Sequence, residues 1–267
     1  MKKTLLLFAL GLFVVSCSDD DSSDNTPTVT TSAYLPLDAG NYWVYEVEST
    51  VVEANGRDSL YVANDTVIGS KTYHKLETLA LPTGFFASAL RNNGVRAADG
   101  KLLLSGSSTI NFTEELPFSL AVEDFEIFNE NAGDNEELDV EIGTIEQEIM
   151  GYDVKIDYTL TSTSKAALAT YTAGDQTYTN VKPVEMTLNI EVTVWVEIDG
   201  LPDPIPFTLI NPSDVVVSTQ YYAENIGMVH AVTDFNYELE ETPGFEVPMP
   251  ETGAQHQEEF LVQFNVD

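Results

Sequence analysis

The chain reads as an all-β protein built from antiparallel strands. Three observations carry that prediction: apolar and polar side chains alternate with period two in several long segments, turn-forming residues separate those segments, and helical periodicity is weak. With 267 residues, 43% apolar and 21% charged, the chain can bury a substantial core and has the composition of a globular protein.

The first residues are not part of that core. Lys2 and Lys3 precede an apolar run from Leu5 to Val15, then Ser16 and Cys17. A permanent membrane helix needs about 20 apolar residues, so this shorter run has the layout of a signal-peptide core. The segment Val14-Val15-Ser16-Cys17 resembles the lipobox of bacterial lipoproteins. That resemblance implies a signal peptide over residues 1–16, cleavage before Cys17 and acylation of the Cys17 thiol. Several acyl chains on one residue anchor firmly, because each buried CH₂ contributes about 0.8 kcal/mol. Ser18-Asp19-Asp20-Asp21-Ser22-Ser23-Asp24 resembles the acidic export signal of Bacteroidota lipoproteins displayed on the outer face of the outer membrane. By composition alone it is a solvated spacer. Residues 17–33 then form an acidic Ser/Asp/Thr tether, and residues 18–33, fully extended, reach roughly 50–58 Å.

Residues 34–267 read as one antiparallel β domain of about ten to twelve strands. Trp43, Tyr45 and Val47 share one face of the first strand, with Tyr42 and Val44 on the other. In 186–198 every even position is apolar (Met186, Leu188, Ile190, Val192, Val194, Val196, Ile198), giving one dry and one wet face. Segment 152–160 turns Tyr152, Val154, Ile156, Tyr158 and Leu160 inward, and 229–239 does so with Val229, Ala231, Phe235, Tyr237 and Leu239. Phe260, Val262, Phe264 and Val266 form the inward set of a last strand. Leu138, Val140 and Ile142 are expected inside, with a bulge near Gly143 because Ile145 and Ile149 change parity. Turn chemistry lies at 54–57, 91–94, 99–100, 173–175 and 199–200. The best helical signal is 120–128, where Val122, Phe125 and Phe128 could share a face. The Pro-rich segments 201–212 and 242–250 read as rim loops.

Leu35-Pro36-Leu37-Asp38-Ala39-Gly40-Asn41-Tyr42-Trp43-Val44-Tyr45-Glu46 resembles the opening P-L-x-x-G-N-x-W-x-Y segment of a family of Bacteroidota lipoproteins. Tyr221-Tyr222-Ala223-Glu224-Asn225-Ile226-Gly227-Met228-Val229 resembles their later Y-Y-A-x-x-x-G segment. The resemblance implies a single strongly curved antiparallel sheet, a half-barrel or barrel, with a β-sandwich as the alternative. No activity is generally assigned to such proteins, so no functional residue carries over. On physical grounds Trp43 is a packing residue.

Charge and motifs narrow the function. Lys+Arg 11 against Asp+Glu 44 gives a net charge of −33, which repels nucleic-acid phosphates and excludes nucleic acid as a partner. Lys and Arg are absent from 102–154 and from 183–267, so pairing between basic and acidic strand faces is expected to offset part of the repulsion. A single Cys excludes an intrachain disulfide and a thiolate zinc cluster. No G-x-S-x-G elbow, P-loop or dinucleotide fingerprint occurs, and His74, His230 and His256 have no Ser or Cys partner by spacing. No catalytic residue, cofactor or metal site is assigned, and the protein reads as non-catalytic. The acidic segment 129–139 departs from the EF-hand pattern and reads as a solvated loop; weak, multi-site binding of divalent cations remains compatible with the charge. Asp58-Ser59-Leu60 and Asp65-Thr66-Val67 resemble a short O-glycosylation motif of Bacteroidota, at Ser59 and Thr66. Trp195 stands out as a large aromatic on the wet face of the clearest strand: a candidate sugar platform, unless another segment covers it.

The expectation is therefore a protein tethered to the outer membrane through lipid on Cys17, at the cell surface, acting as a non-catalytic binding or structural module. Two alternatives stand beside it. One is a glycan- or nutrient-capture accessory of an outer-membrane uptake system, with an outer-membrane protein as partner. The other is a periplasmic carrier of an apolar ligand inside a half-barrel.

Overall fold

The computed structural model describes residues 32–111, 117–149, 151–198, 200–241 and 250–267. Cys17 and the proposed tether up to residue 31 lie outside them, as do Asp199 and most of segment 242–250. Among the described residues no helix is long and apolar enough to cross a membrane.

The strands are β1 (Tyr42–Ser49), β2 (Gly56–Ile68), β3 (Lys71–Thr78), β4 (Gly94–Ala98), β5 (Lys101–Asn111), β6 (Pro117–Asn129), β7 (Glu137–Ile149), β8 (Tyr152–Ser164), β9 (Leu168–Ala173), β10 (Gln176–Val196), β11 (Ile205–Ala223), β12 (Gly227–Glu238) and β13 (Thr252–Asn265). A short α-helix, α1 (Phe85–Leu90), sits between β3 and β4. All strands join a single antiparallel sheet, whose main path of twelve runs β6-β5-β4-β3-β2-β1-β13-β12-β11-β10-β8-β7. Strand β9 pairs with the first part of β10. The path ends on β6 and β7, which are consecutive in the chain and meet again at one end. There Asp139 Oδ2 of β7 accepts from the Glu126 amide of β6 at 3.0 Å, and Ser162 Oγ of β8 donates to the Glu126 carbonyl at 2.5 Å. The sheet is thus nearly closed and barrel-shaped, the curvature aided by bulges in β1–β13, β2–β3, β5–β6 and β10–β11.

Two apolar clusters fill the inside. One gathers Trp43, Tyr45, Leu60, Phe86, Phe128 and Tyr222 with their neighbours; the other is built on the β8, β10 and β11 residues Ile156, Leu188, Ile190, Val192 and Ile210. The two segments that carry the family resemblance dock on each other in the first cluster. Trp43 Nε1–H donates to the Ile226 carbonyl at 2.6 Å, and Tyr45 Oη donates to the Met228 carbonyl at 3.1 Å. Gly227, at φ +119°, lies against the Trp43 ring, where a Cβ would collide with Nε1. Trp43 is fully buried, as its packing role requires. The turn at Asp99-Gly100 takes positive φ at both residues, the conformation expected of a two-residue hairpin loop.

The structure corrects several sequence expectations. Segment 120–128 is strand β6, not helix, because its apolar residues find partners across the sheet from β5. The helix lies instead at Phe85–Leu90, a stretch too short to show periodicity. In β7 the bulge falls at Leu138 rather than near Gly143, so Asp139, Glu141 and Gly143 face inward with Ser162, Leu160 and Tyr158. Val140 and Ile142 point outward, Ile142 being 72% exposed. In β13 a bulge at Val262 switches parity: Gln257, Glu259 and Leu261 face the core before it, so Phe260 and Val262 are not core residues. Beyond the bulge Phe264 is opposite Trp43 in the ladder but is 42% exposed at the strand's end and not a core residue, whereas Val266 packs on the first cluster. Segment 201–212 is loop only to Pro204; β11 starts at Ile205, and Asn211-Pro212 form a bulge against β10. In β10, Ile198 is 40% exposed, beyond the strand's end at Val196.

Candidate functional site

The alternation of β10 places Val192, Val194 and Val196 in the core, and therefore Thr193 and Trp195 on the outer face. Strand pairing sets Trp195 opposite Asp153 of β8 on one side and Pro206 of β11 on the other. One strand further, Glu148 of β7 lies opposite Asp153, and Glu146 opposite Lys155. The β7, β8 and β10 residues among these, with Gln147 and Val154, line an open hollow of about 460 Å³. Trp195 is half-buried at its wall while Glu146, Glu148 and Asp153 are exposed. Lys155 Nζ is 2.7 Å from Asp157 Oδ2; that contact raises the lysine's proton affinity and lowers the pKa of the aspartate. The result is a concave polar surface with one flat apolar face, where a ring could stack on the indole and hydroxyls could bond to carboxylates. Among the described residues Trp195 is half-buried rather than fully covered.

The acidic segment 129–139 is held from the inside. Lys182, buried and inward-facing on β10, donates through Nζ to the carbonyls of Glu130 at 2.9 Å and Ala132 at 2.6 Å. Burial lowers the pKa of that lysine. Two of the loop's carbonyl oxygens are thus satisfied by an ammonium group. Among the described residues no group of His, Cys, Asp and Glu is arranged to hold a metal ion. Ser59 and Thr66 are half-buried on β2, next to the paired strands β1 and β3.

One arrangement was not legible in the sequence. On the outer face of β11–β13, Tyr171 of β9 stacks on Tyr221 with centroids 4.0 Å apart, and His230 stacks on Phe260 at 4.6 Å. Tyr171 Oη is 2.7 Å from His230 Nδ1, and His230 Nε2 is 3.0 Å from Glu258 Oε2. His256 continues the chain, 2.8 Å from Asp234 Oδ1. A Tyr–His–Glu sequence of contacts suggests proton transfer, yet burial holds the Tyr171 phenol well above its ordinary pKa and pushes His230 below its own. A neutral phenol beside a neutral, 5% exposed imidazole is a latch for the β9–β10 hairpin, not an activated nucleophile.

A second buried polar group sits inside the barrel. Asp58 accepts from the Thr83 and Gly84 amides, Gln257 Oε1 from Phe85 N, and Glu259 Oε1 from Phe86 N at 2.7 Å. These inward side chains of β2 and β13 satisfy the first amides of α1, which has no cap of its own. Burial, with the Asp58 charge added, raises the Glu259 carboxyl to about 7.

No family model, no curated protein and no solved structure matches this chain. The reading of function therefore rests on the chain's own residues.

Proposed function

We propose that this protein is a lipid-anchored, surface-displayed binding module without catalysis, which captures glycan at Trp195 for an outer-membrane uptake system. The observation that carries the reading is the half-buried indole in a 460 Å³ polar hollow on the outside of the barrel. A strand face exposed to water ordinarily carries small polar or charged residues. A large aromatic there, beside carboxylates that can accept hydrogen bonds from sugar hydroxyls, fits a stacking platform. The lipobox resemblance at Cys17 supplies the anchor, and the acidic segment behind it supplies reach and surface display. The carrier alternative asks for an unfilled apolar interior, whereas the described axis-facing side chains pack on one another in two clusters and around α1. Screening the full chain on an oligosaccharide array tests the proposal. The wild type is expected to retain a defined set of glycans, and Trp195→Ala to lose them by at least about tenfold in affinity while keeping its fold. An array without ligands, or binding indifferent to Trp195→Ala, refutes it.

A further inference from the structure

The row of outward side chains containing Trp195 specifies more than a stacking surface. Pairing sets Trp195 directly opposite Asp153 and Asp153 directly opposite Glu148, so an indole and two carboxylates stand side by side across three strands. Directly opposed residues have Cβ atoms about 4.5–5.5 Å apart, close enough for both carboxylates to reach one small group. Like charges facing each other in a ladder are destabilising. Among the described residues neither Glu148 nor Asp153 forms an ion pair or hydrogen bond that would relieve this, and Trp195 has no ring partner. The pocket's lysine does not serve them: Lys155 is turned along its own strand to Asp157. An unpartnered aromatic face flanked by two uncompensated carboxylates, within one hollow, attracts a cation through both the ring quadrupole and the charges.

We infer that the pocket selects glycans bearing a protonated amine, with the apolar face of an amino-sugar ring on Trp195 and its ammonium between Asp153 and Glu148. The inference rests on the reading of Trp195 as a glycan platform and adds the charge of the sugar. Uronate-bearing and sulfated glycans are disfavoured by the same carboxylates.

Calorimetric titration of the full chain with a glucosamine tetramer and with its fully N-acetylated counterpart isolates that charge. The two ligands share length and ring faces, and mildly acidic, low-salt buffer keeps the free amines protonated. The amine form is expected to bind about tenfold tighter than the acetylated one. In a Glu148→Gln, Asp153→Asn double variant, both positions being exposed, the preference falls to near parity while binding of the acetylated tetramer persists. Trp195→Ala weakens both ligands. Equal or tighter binding of the acetylated tetramer to the wild type overturns the amine selectivity and leaves glycan capture standing. Selectivity that survives in the double variant likewise overturns it. Binding of neither tetramer overturns the amine reading, and an empty array in addition overturns glycan capture itself.

Discussion

Glu259 is the residue whose environment departs furthest from what its type suggests. It lies on a strand face that should be apolar, 1% exposed, with one oxygen on the Phe86 amide and the other without a hydrogen-bond partner. Its pKa rises from 4.5 to about 7, chiefly through burial. The folded state therefore holds the proton more tightly than the unfolded chain does. Its contribution is fully present below about 4.5, declines as pH rises through the window to about 7, and is absent above it, a change on the order of 3 kcal/mol. Glu259→Gln keeps the acceptor for Phe86 and removes the titration. The stability difference between variant and wild type, from urea unfolding across that window, should grow in the variant's favour with rising pH. A difference that stays flat, or runs the other way, rejects the assignment. Nothing in the sequence marks Glu259 as buried among so many acids; its burial depends on α1 being brought inside the barrel. Trp43 is the opposite case, since its place in an alternating apolar segment announced a core residue.

At the scale of the element, strict alternation was legible and its interruptions were not. Strand β10 turns inward the residues its period dictates, and β8 and β12 do likewise. In β13 and β7 a single extra residue, at Val262 and Leu138, moves every later or earlier side chain to the other face. A bulge arises from pairing with a neighbouring strand, the distant β1 for β13 and the hairpin partner β8 for β7, so the pattern of one strand alone cannot locate it. The register makes a sharp prediction. Leu261→Ala should cost about 2–5 kcal/mol because Leu261 faces the core opposite Tyr45. Val262→Thr, on a side chain 47% exposed, should stay within about 0.5 kcal/mol. Denaturant midpoints with unchanged slopes decide the matter, and the reverse ranking would mean that β13 runs in the other register. Helix α1 was invisible for a related reason: six residues cannot show a helical period, and their amides depend on Asp58, Gln257 and Glu259 from distant strands.

For the whole molecule, the strong negative charge sets the problem and the sheet solves part of it. Lys71 and Arg96 both pair with Asp124, and Lys101 with Glu126, so the basic strands β3–β5 pair with acids of β6. Strands 183–267 have no such cations and stay anionic, away from any phosphate surface unless something holds them there. The lipid proposed on Cys17 is what would hold them. Cys17→Ser should release the protein from the membrane fraction into the soluble fraction, read by immunoblot after cell fractionation; undiminished membrane association in that variant would exclude a lipid tether. By itself the sequence determined the strand content, the antiparallel class of the sheet, the anionic surface and the outward position of Trp195, because each follows from residue type and a two-residue period. The curved single sheet, half-barrel or barrel, was already implied by the resemblance of segments 35–46 and 221–229; the tertiary structure decided how nearly it closes, the parity switches, the plug formed by α1 and the carboxylate row beside Trp195. The closure, the plug and the β13 switch arise where strands far apart in the chain are brought into register, the β7 switch and the carboxylate row where the β7–β8 hairpin sets its own, and in both cases pairing carries no trace in the pattern of either strand alone.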